Sequence, residues 1–120
     1  MLTTEQMLQQ IAEACGEEKA LDVVALDVSQ LTVIADYFVI AAGRNVLQVK
    51  SIADRVEERL AEAGVKPLRR EGYSEGIWVV LDYGSILFHV FRQEEREYYD
   101  LENLWGDARK VRCQASQLFT

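Results

Sequence analysis

Val49, Ile52, Ala53, Val56, Leu60 and Ala63 recur at helical spacing, while Lys50, Asp54, Arg55, Glu57, Glu58, Arg59 and Glu62 fill the opposite positions. This division predicts an amphipathic helix between Asn45, whose side chain can cap it with Gln48 three residues on, and Gly64, with Pro67 as a second stop. A similar stripe, Met7, Leu8, Ile11, Ala12 and Cys15, predicts an earlier helix that starts near Thr3, where Thr3-x-x-Gln6 matches a capping box, and stops at Gly16. Two other segments are short and rich in valine, isoleucine and aromatic residues, LDVVALDVS (21–29) and DYFVIAAG (36–43), and both read as strands. The intervening QLTVIA is a turn or a short helical piece, and PLRREG, which follows the second predicted helix from Pro67, forms a short strand.

The strongest hairpin signal is IWVVLDY, Gly84, SILFHVF. With Tyr83-Gly84 as a two-residue loop, Asp82 pairs with Ser85, Val80 with Leu87, and Trp78 with His89. Strand alternation then sorts the side chains. Ile77, Val79, Leu81, Ile86, Phe88 and Val90 form a wholly apolar face fit to lie under the two helices. Trp78, Val80, Asp82, Leu87, His89 and Phe91 form a mixed aromatic and polar face. A sheet covered by helices on one side leaves that second face open, and an open aromatic face is an interaction surface. Further on, REYYDLENLWGD (96–107) places Leu101, Leu104 and Trp105 at i, i+3, i+4, which predicts a short amphipathic helix or a pair of turns behind Tyr98 and Tyr99. Aromatic residues beside Glu94, Glu95, Glu97, Asp100 and Glu102 suit recognition of a basic protein. The segment ARKVRCQASQLFT (108–120) breaks from this acidity and reads as a loose tail, which leaves one domain over residues 1–107.

Composition narrows the function. With 120 residues the chain is long enough for one core without staples. Its 20 acidic and 13 basic residues give a net charge of −7, against a nucleic-acid binder that works by neutralising phosphates. Cys15 and Cys113 lie far apart in no metal-ligand spacing, so neither a disulfide framework nor a zinc site is expected. The N-terminus lacks the pattern of a signal peptide and no apolar run approaches the ~20 residues of a membrane helix, so the expected location is cytoplasmic.

Catalytic motifs are sparse. Neither GxGxxG nor GxxxxGK[ST] occurs, and Ser85 after Gly84 is followed by Ile86 and Leu87, which breaks a GxSxG elbow. Asp36, Asp82 and the single histidine, His89, make only a weak acid-base group; a lone histidine opposite a tryptophan on a strand reads as a packed or partner-contacting side chain.

ADYFVIAAG (35–43), VKSIADRVEERL (49–60), EGIWVVLDYGSILFHVF (75–91) and REYYDLENLW (96–105) together resemble the ribosomal silencing factor family, also called RsfS or Iojap. The resemblance implies an α/β domain: a mixed β-sheet of about five strands with α-helices packed on it, nucleotidyltransferase-like in outline but without the catalytic motif, and a homodimer when free. It also implies a partner, ribosomal protein uL14 on the large ribosomal subunit, where the bound factor sterically blocks the small subunit and represses translation under nutrient limitation. Taken with the pleat, it marks Trp78, Val80, His89, Phe91, Tyr98 and Asp100 as contacts to uL14; no cofactor, metal or catalytic residue is implied. Where many family members read Ser-Gly-Thr/Asn-Ser, then one residue and Arg-Gln-Val, this chain has Ala42, Gly43, Arg44, Asn45, Val46, Leu47, Gln48 and Val49. The alternative is a small nucleotidyltransferase-like enzyme using Asp82 and His89, yet Arg44 follows Gly43 and the Asp-x-Asp that would hold two magnesium ions is missing.

Overall fold

In the computed structural model, which describes residues 2–111, four helical segments pack on a sheet. The first helix, α1 (Thr4–Glu17), opens with the capping box: the Thr3 hydroxyl accepts from the Gln6 amide at 3.1 Å and the Gln6 side chain accepts from the Thr3 amide at 2.9 Å. It runs through Gly16, the expected stop, to Glu17, with Glu18 as its C-cap. Strands β1 (Leu21–Asp27) and β2 (Tyr37–Gly43) follow, joined by turns over the QLTVIA stretch. Helix α2 (Val46–Glu62) begins where expected, the Asn45 side chain accepting from the Gln48 amide at 2.9 Å. Then come β3 (Arg69–Glu71), β4 (Trp78–Asp82) and β5 (Ile86–Arg92), helix α3 (Gln93–Tyr99), the single turn α4 (Leu101–Leu104) and β6 (Arg109–Val111).

Among the described residues the sheet has six strands in the order β3-β4-β5-β2-β1-β6. It is mixed because β2 and β5 run parallel, the crossover between them carrying α2, while the other pairs are antiparallel. The strand beyond the expected five is β6, which pairs with β1 through Ala25–Val111 and Asp27–Arg109. The sheet therefore extends into the segment expected as a tail from 108 onward. Residues 112–120 of that segment lie outside the described residues.

The hairpin corrects the expected register. Trp78 faces Phe91, Val80 faces His89 and Asp82 faces Leu87. Gly84 and Ser85 form the loop instead of Tyr83 and Gly84; the Tyr83 amide donates to the Ile86 carbonyl at 2.9 Å and Gly84 sits at φ 84°, the backbone region a loop-opening glycine supplies. Moving the loop by one residue moves every pair by two, so each side chain stays on its expected face.

The apolar face packs as the alternation implies. Val79, Leu81, Ile86, Phe88 and Val90 form one core with Met7, Leu8, Ile11 and Cys15 of α1 and Val49, Ile52, Val56 and Leu60 of α2. Removing this much apolar surface from water is the main stabilising term. An ion pair and a hydrogen bond stitch the helices together on their outer side, with Arg59 reaching Glu17 at 2.7 Å and the Gln10 amide oxygen at 2.9 Å.

The second face is half covered, which corrects the expectation that it is open. Leu26, Val28, Ala35, Phe38, Ile40 and Phe91 form a smaller core there, closed by Leu101, Trp105 and Ala108. The β3–β4 end stays uncovered, with Arg69, Glu71, Val80, Asp82 and Leu87 around a depression of about 110 Å³.

Candidate functional site

The site is built on the half-covered face where β4 and β5 meet α3. Alternation points Trp78, His89 and Phe91 to this side, and the parallel pairing of β2 with β5 brings Phe38 beside them. The Trp78 ring stacks on Phe91 with centroids 4.7 Å apart. Tyr99, the last residue of α3, closes over both, 4.9 Å from Trp78 and 6.2 Å from Phe91. From the other side Phe38 meets His89 edge-on at 5.4 Å and Trp105 at 5.1 Å. Edge-to-face and offset contacts of this kind each add up to about 1 kcal/mol beyond their area, so the cluster is a rigid platform.

His89 lies inside that platform, only 7% exposed, and Phe91 is 1% exposed. Both are expected as partner contacts, and in the free chain both lie beneath the surface. His89 receives the Trp78 indole N–H on Nδ1 at 3.1 Å, while its Nε2 is buried with no partner among the described residues. Burial pushes its pKa from 6.5 down to about 4, so at neutral pH the ring is uncharged.

Trp78 and Val80 are half-buried, with part of each side chain at the surface. Tyr98 is 81% exposed and leans edge-on against Tyr99 at 5.1 Å, and Asp100 is exposed as well. Asp100 adopts φ 50° and ψ 53°, the left-handed conformation that ends α3 and starts α4, so the chain turns sharply just after the tyrosines. Leu104 stands 72% exposed, whereas Leu101 packs inward. Around this edge the surface is acidic. Glu94 and Glu97 are exposed, and Glu95 is held by Arg92 at 2.7 and 2.8 Å, a contact that lowers its pKa.

Asp82 and His89 share a face but not a site. Asp82 accepts from the Gly84 amide at 2.8 Å and from Arg69 at 3.3 Å, and its strand partner is Leu87. His89 is two residues further along β5, a displacement of roughly 7 Å at the usual rise per strand residue. Among the described residues no group of three or more His, Cys, Asp or Glu side chains is placed to hold a metal ion, and no helix is long and apolar enough to cross a membrane.

Two features escape a local reading. Phe38 joins the platform only through the β2–β5 pairing, although alternation along DYFVIAAG already puts it on the same side as Ile40. Arg96, 6% exposed, makes a two-pronged bond to Glu102 at 3.1 and 2.9 Å. A spacing of six is not a helical pairing, so the sequence carries no signal for it.

Comparison with known proteins sets this geometry in a family. The family model RsfS, "Ribosomal silencing factor during starvation", matches residues 2–118. "Ribosomal silencing factor RsfS" of Bacillus subtilis (strain 168) is 39% identical over 107 residues, covering 89% of this chain and 91% of that protein. The protein of the same name from Halalkalibacterium halodurans is 40% identical over 110 residues, covering 92% and 94%. A crystal structure of a Chromobacterium violaceum protein superposes with a TM-score of 0.85 at 36% identity over 88% of each chain.

Proposed function

The chain belongs to the RsfS family of ribosomal silencing factors, and we propose that it binds ribosomal protein uL14 on the large ribosomal subunit and so sterically blocks the small subunit from joining. Translation then falls when nutrients are scarce. In this reading the protein acts in the cytoplasm as a non-catalytic factor, is a homodimer when free, and needs no cofactor or sequence-specific nucleic-acid contact.

The observation that carries the proposal is the edge at the end of α3. Tyr98 projects from a rigid aromatic platform beside Asp100, with half-buried Trp78 behind it and an acidic rim of Glu94 and Glu97. A preformed aromatic anchor needs little ordering on binding, and flanking carboxylates pair with the lysines and arginines of a basic ribosomal protein. Tyr98, Asp100, Trp78 and Val80 make the direct contacts, while His89 and Phe91 support them from below. The enzymatic alternative gains nothing from the geometry, because Asp82 and His89 point to separate partners and the imidazole is neutral and enclosed.

Titration of the purified protein with isolated uL14 tests the proposal. Saturable binding that weakens at least tenfold in Tyr98→Ala supports it; no binding by the folded wild-type protein contradicts it.

A further inference from the structure

The sharp turn after the tyrosines is held from beneath by an ion pair between buried Arg96 and half-buried Glu102. Arg96 donates through Nε and Nη2 to the two carboxylate oxygens of Glu102, at 3.1 and 2.9 Å, and through Nη1 to the Leu21 carbonyl at 3.2 Å. Leu21 opens β1 just before an irregularity in its pairing with β2, where Asp22 takes φ 48°. The Arg96 carbonyl also accepts from the Asp100 amide at 2.9 Å, and the Asp100 carbonyl in turn accepts from the Asn103 and Leu104 amides at 3.1 Å. One residue thus spans the turn twice, once through its backbone and once through its side chain, and ties it to the sheet.

A left-handed non-glycine residue is disfavoured, so the turn persists only where its surroundings hold it. Its outward side carries Tyr98, Asp100 and Leu104, all exposed, whereas Tyr99, itself partly exposed, lies against the platform and Leu101 packs in the smaller core. A planar guanidinium with a two-pronged carboxylate contact fixes orientation as well as distance, which a lysine would not.

We propose that Arg96 is a positioning residue, whose clamp on Glu102 and Leu21 holds the left-handed turn at Asp100 and presents Tyr98, Asp100 and Leu104 to the partner as one preformed edge. The proposal rests on the docking role given to that edge above. It assigns no partner contact to Arg96 itself, which is enclosed. Loss of the clamp acts on binding by leaving the edge to be ordered at the moment of contact.

Two variants test it. Glu102→Gln weakens the clamp while keeping one acceptor, and Arg96→Met with Glu102→Gln removes it without stranding a buried charge, so the fold survives if the single variant does not tolerate the loss. Hydrogen exchange on the full chain reads the clamp without any partner: the Asn103 and Leu104 amides should exchange at least tenfold faster in the variants, and unchanged exchange overturns the proposal. Affinity for isolated bacterial large subunits should fall at least tenfold in both variants, and Tyr98→Ala should cost less in their background than in wild type, a coupling that mere loss of stability does not produce. Equal cost in both backgrounds, or affinities within twofold of wild type, overturns the clamp while leaving the docking role intact. Wild-type protein that fails to bind large subunits overturns the docking role instead, and the exchange measurement still decides whether the clamp holds the turn.

Discussion

The indole N–H of Trp78 donates to Nδ1 of His89 across 3.1 Å, diagonally between strands in which Trp78 faces Phe91 and His89 faces Val80. An accepting Nδ1 places the proton of the neutral ring on Nε2, so the tryptophan sets the tautomer. Acting as a base through Nδ1 would require the ring to give up this bond. The only histidine of the chain is thereby a structural partner of the tryptophan above it.

Acid should expose this arrangement. His89 titrates near 4 when folded against 6.5 when free, so between those values the unfolded chain binds more protons than the folded one. The stability contribution is complete above about pH 6.5 and is lost as the pH falls toward 4, on the order of 3 kcal/mol over the whole window. Urea denaturation at pH 7 and pH 5 should show wild type losing about 2 kcal/mol more than His89→Gln between the two conditions. Equal losses would show that the ring is not enclosed.

Trp78→Phe keeps a ring over Phe91 and Tyr99 but removes the donor to His89. Leaving a buried acceptor without its donor costs about 1–3 kcal/mol. In a denaturation cycle with His89→Phe the two changes should be non-additive by at least about 0.5 kcal/mol, because the second removes the group that the first strands. Strict additivity would mean that the bond contributes nothing.

Tyr98 separates stability from recognition. Because it is exposed, Tyr98→Ala should change the unfolding free energy by no more than about 0.5 kcal/mol. As an interface anchor it should cost roughly 2 kcal/mol of binding, close to thirtyfold in Kd for large subunits. A variant that binds like wild type removes Tyr98 from the contact.

Asp100→Asn isolates charge from conformation. Asparagine tolerates the left-handed backbone that Asp100 adopts, so the turn should survive while a carboxylate is lost from the rim. Affinity should drop several-fold at low ionic strength, and the difference from wild type should shrink as salt is added. A difference that persists unchanged at high salt would assign the residue a role other than charge pairing.

The same sequence was legible in some places and opaque in others for physical reasons. Helix α2 could be read to its caps because its stripe, its Asn45 cap and its Gly64 stop all agree. The hairpin faces were legible because alternation is local, but the loop position was not: Tyr83-Gly84 and Gly84-Ser85 both offer glycine, and only the backbone shows that Gly84 opens the loop. Helix α3 left little trace, since QEEREYY has no apolar stripe, and β6 is only three residues long. The platform depends on partners remote in the chain, Phe38 from β2 and Trp105 after α4, so the burial of His89 and Phe91 could not be foreseen from the hairpin alone.

If the protein blocks the small subunit, subunit joining should respond to it in vitro. Isolated large subunits would be incubated with the purified protein, small subunits added, and the fraction of joined ribosomes read from sucrose gradients. Wild-type protein should sediment with large subunits and lower joining in proportion to its occupancy, while Tyr98→Ala, equally stable, should require roughly thirtyfold more protein for the same effect. Joining that proceeds undiminished with large subunits saturated by the wild-type protein would contradict the blocking role.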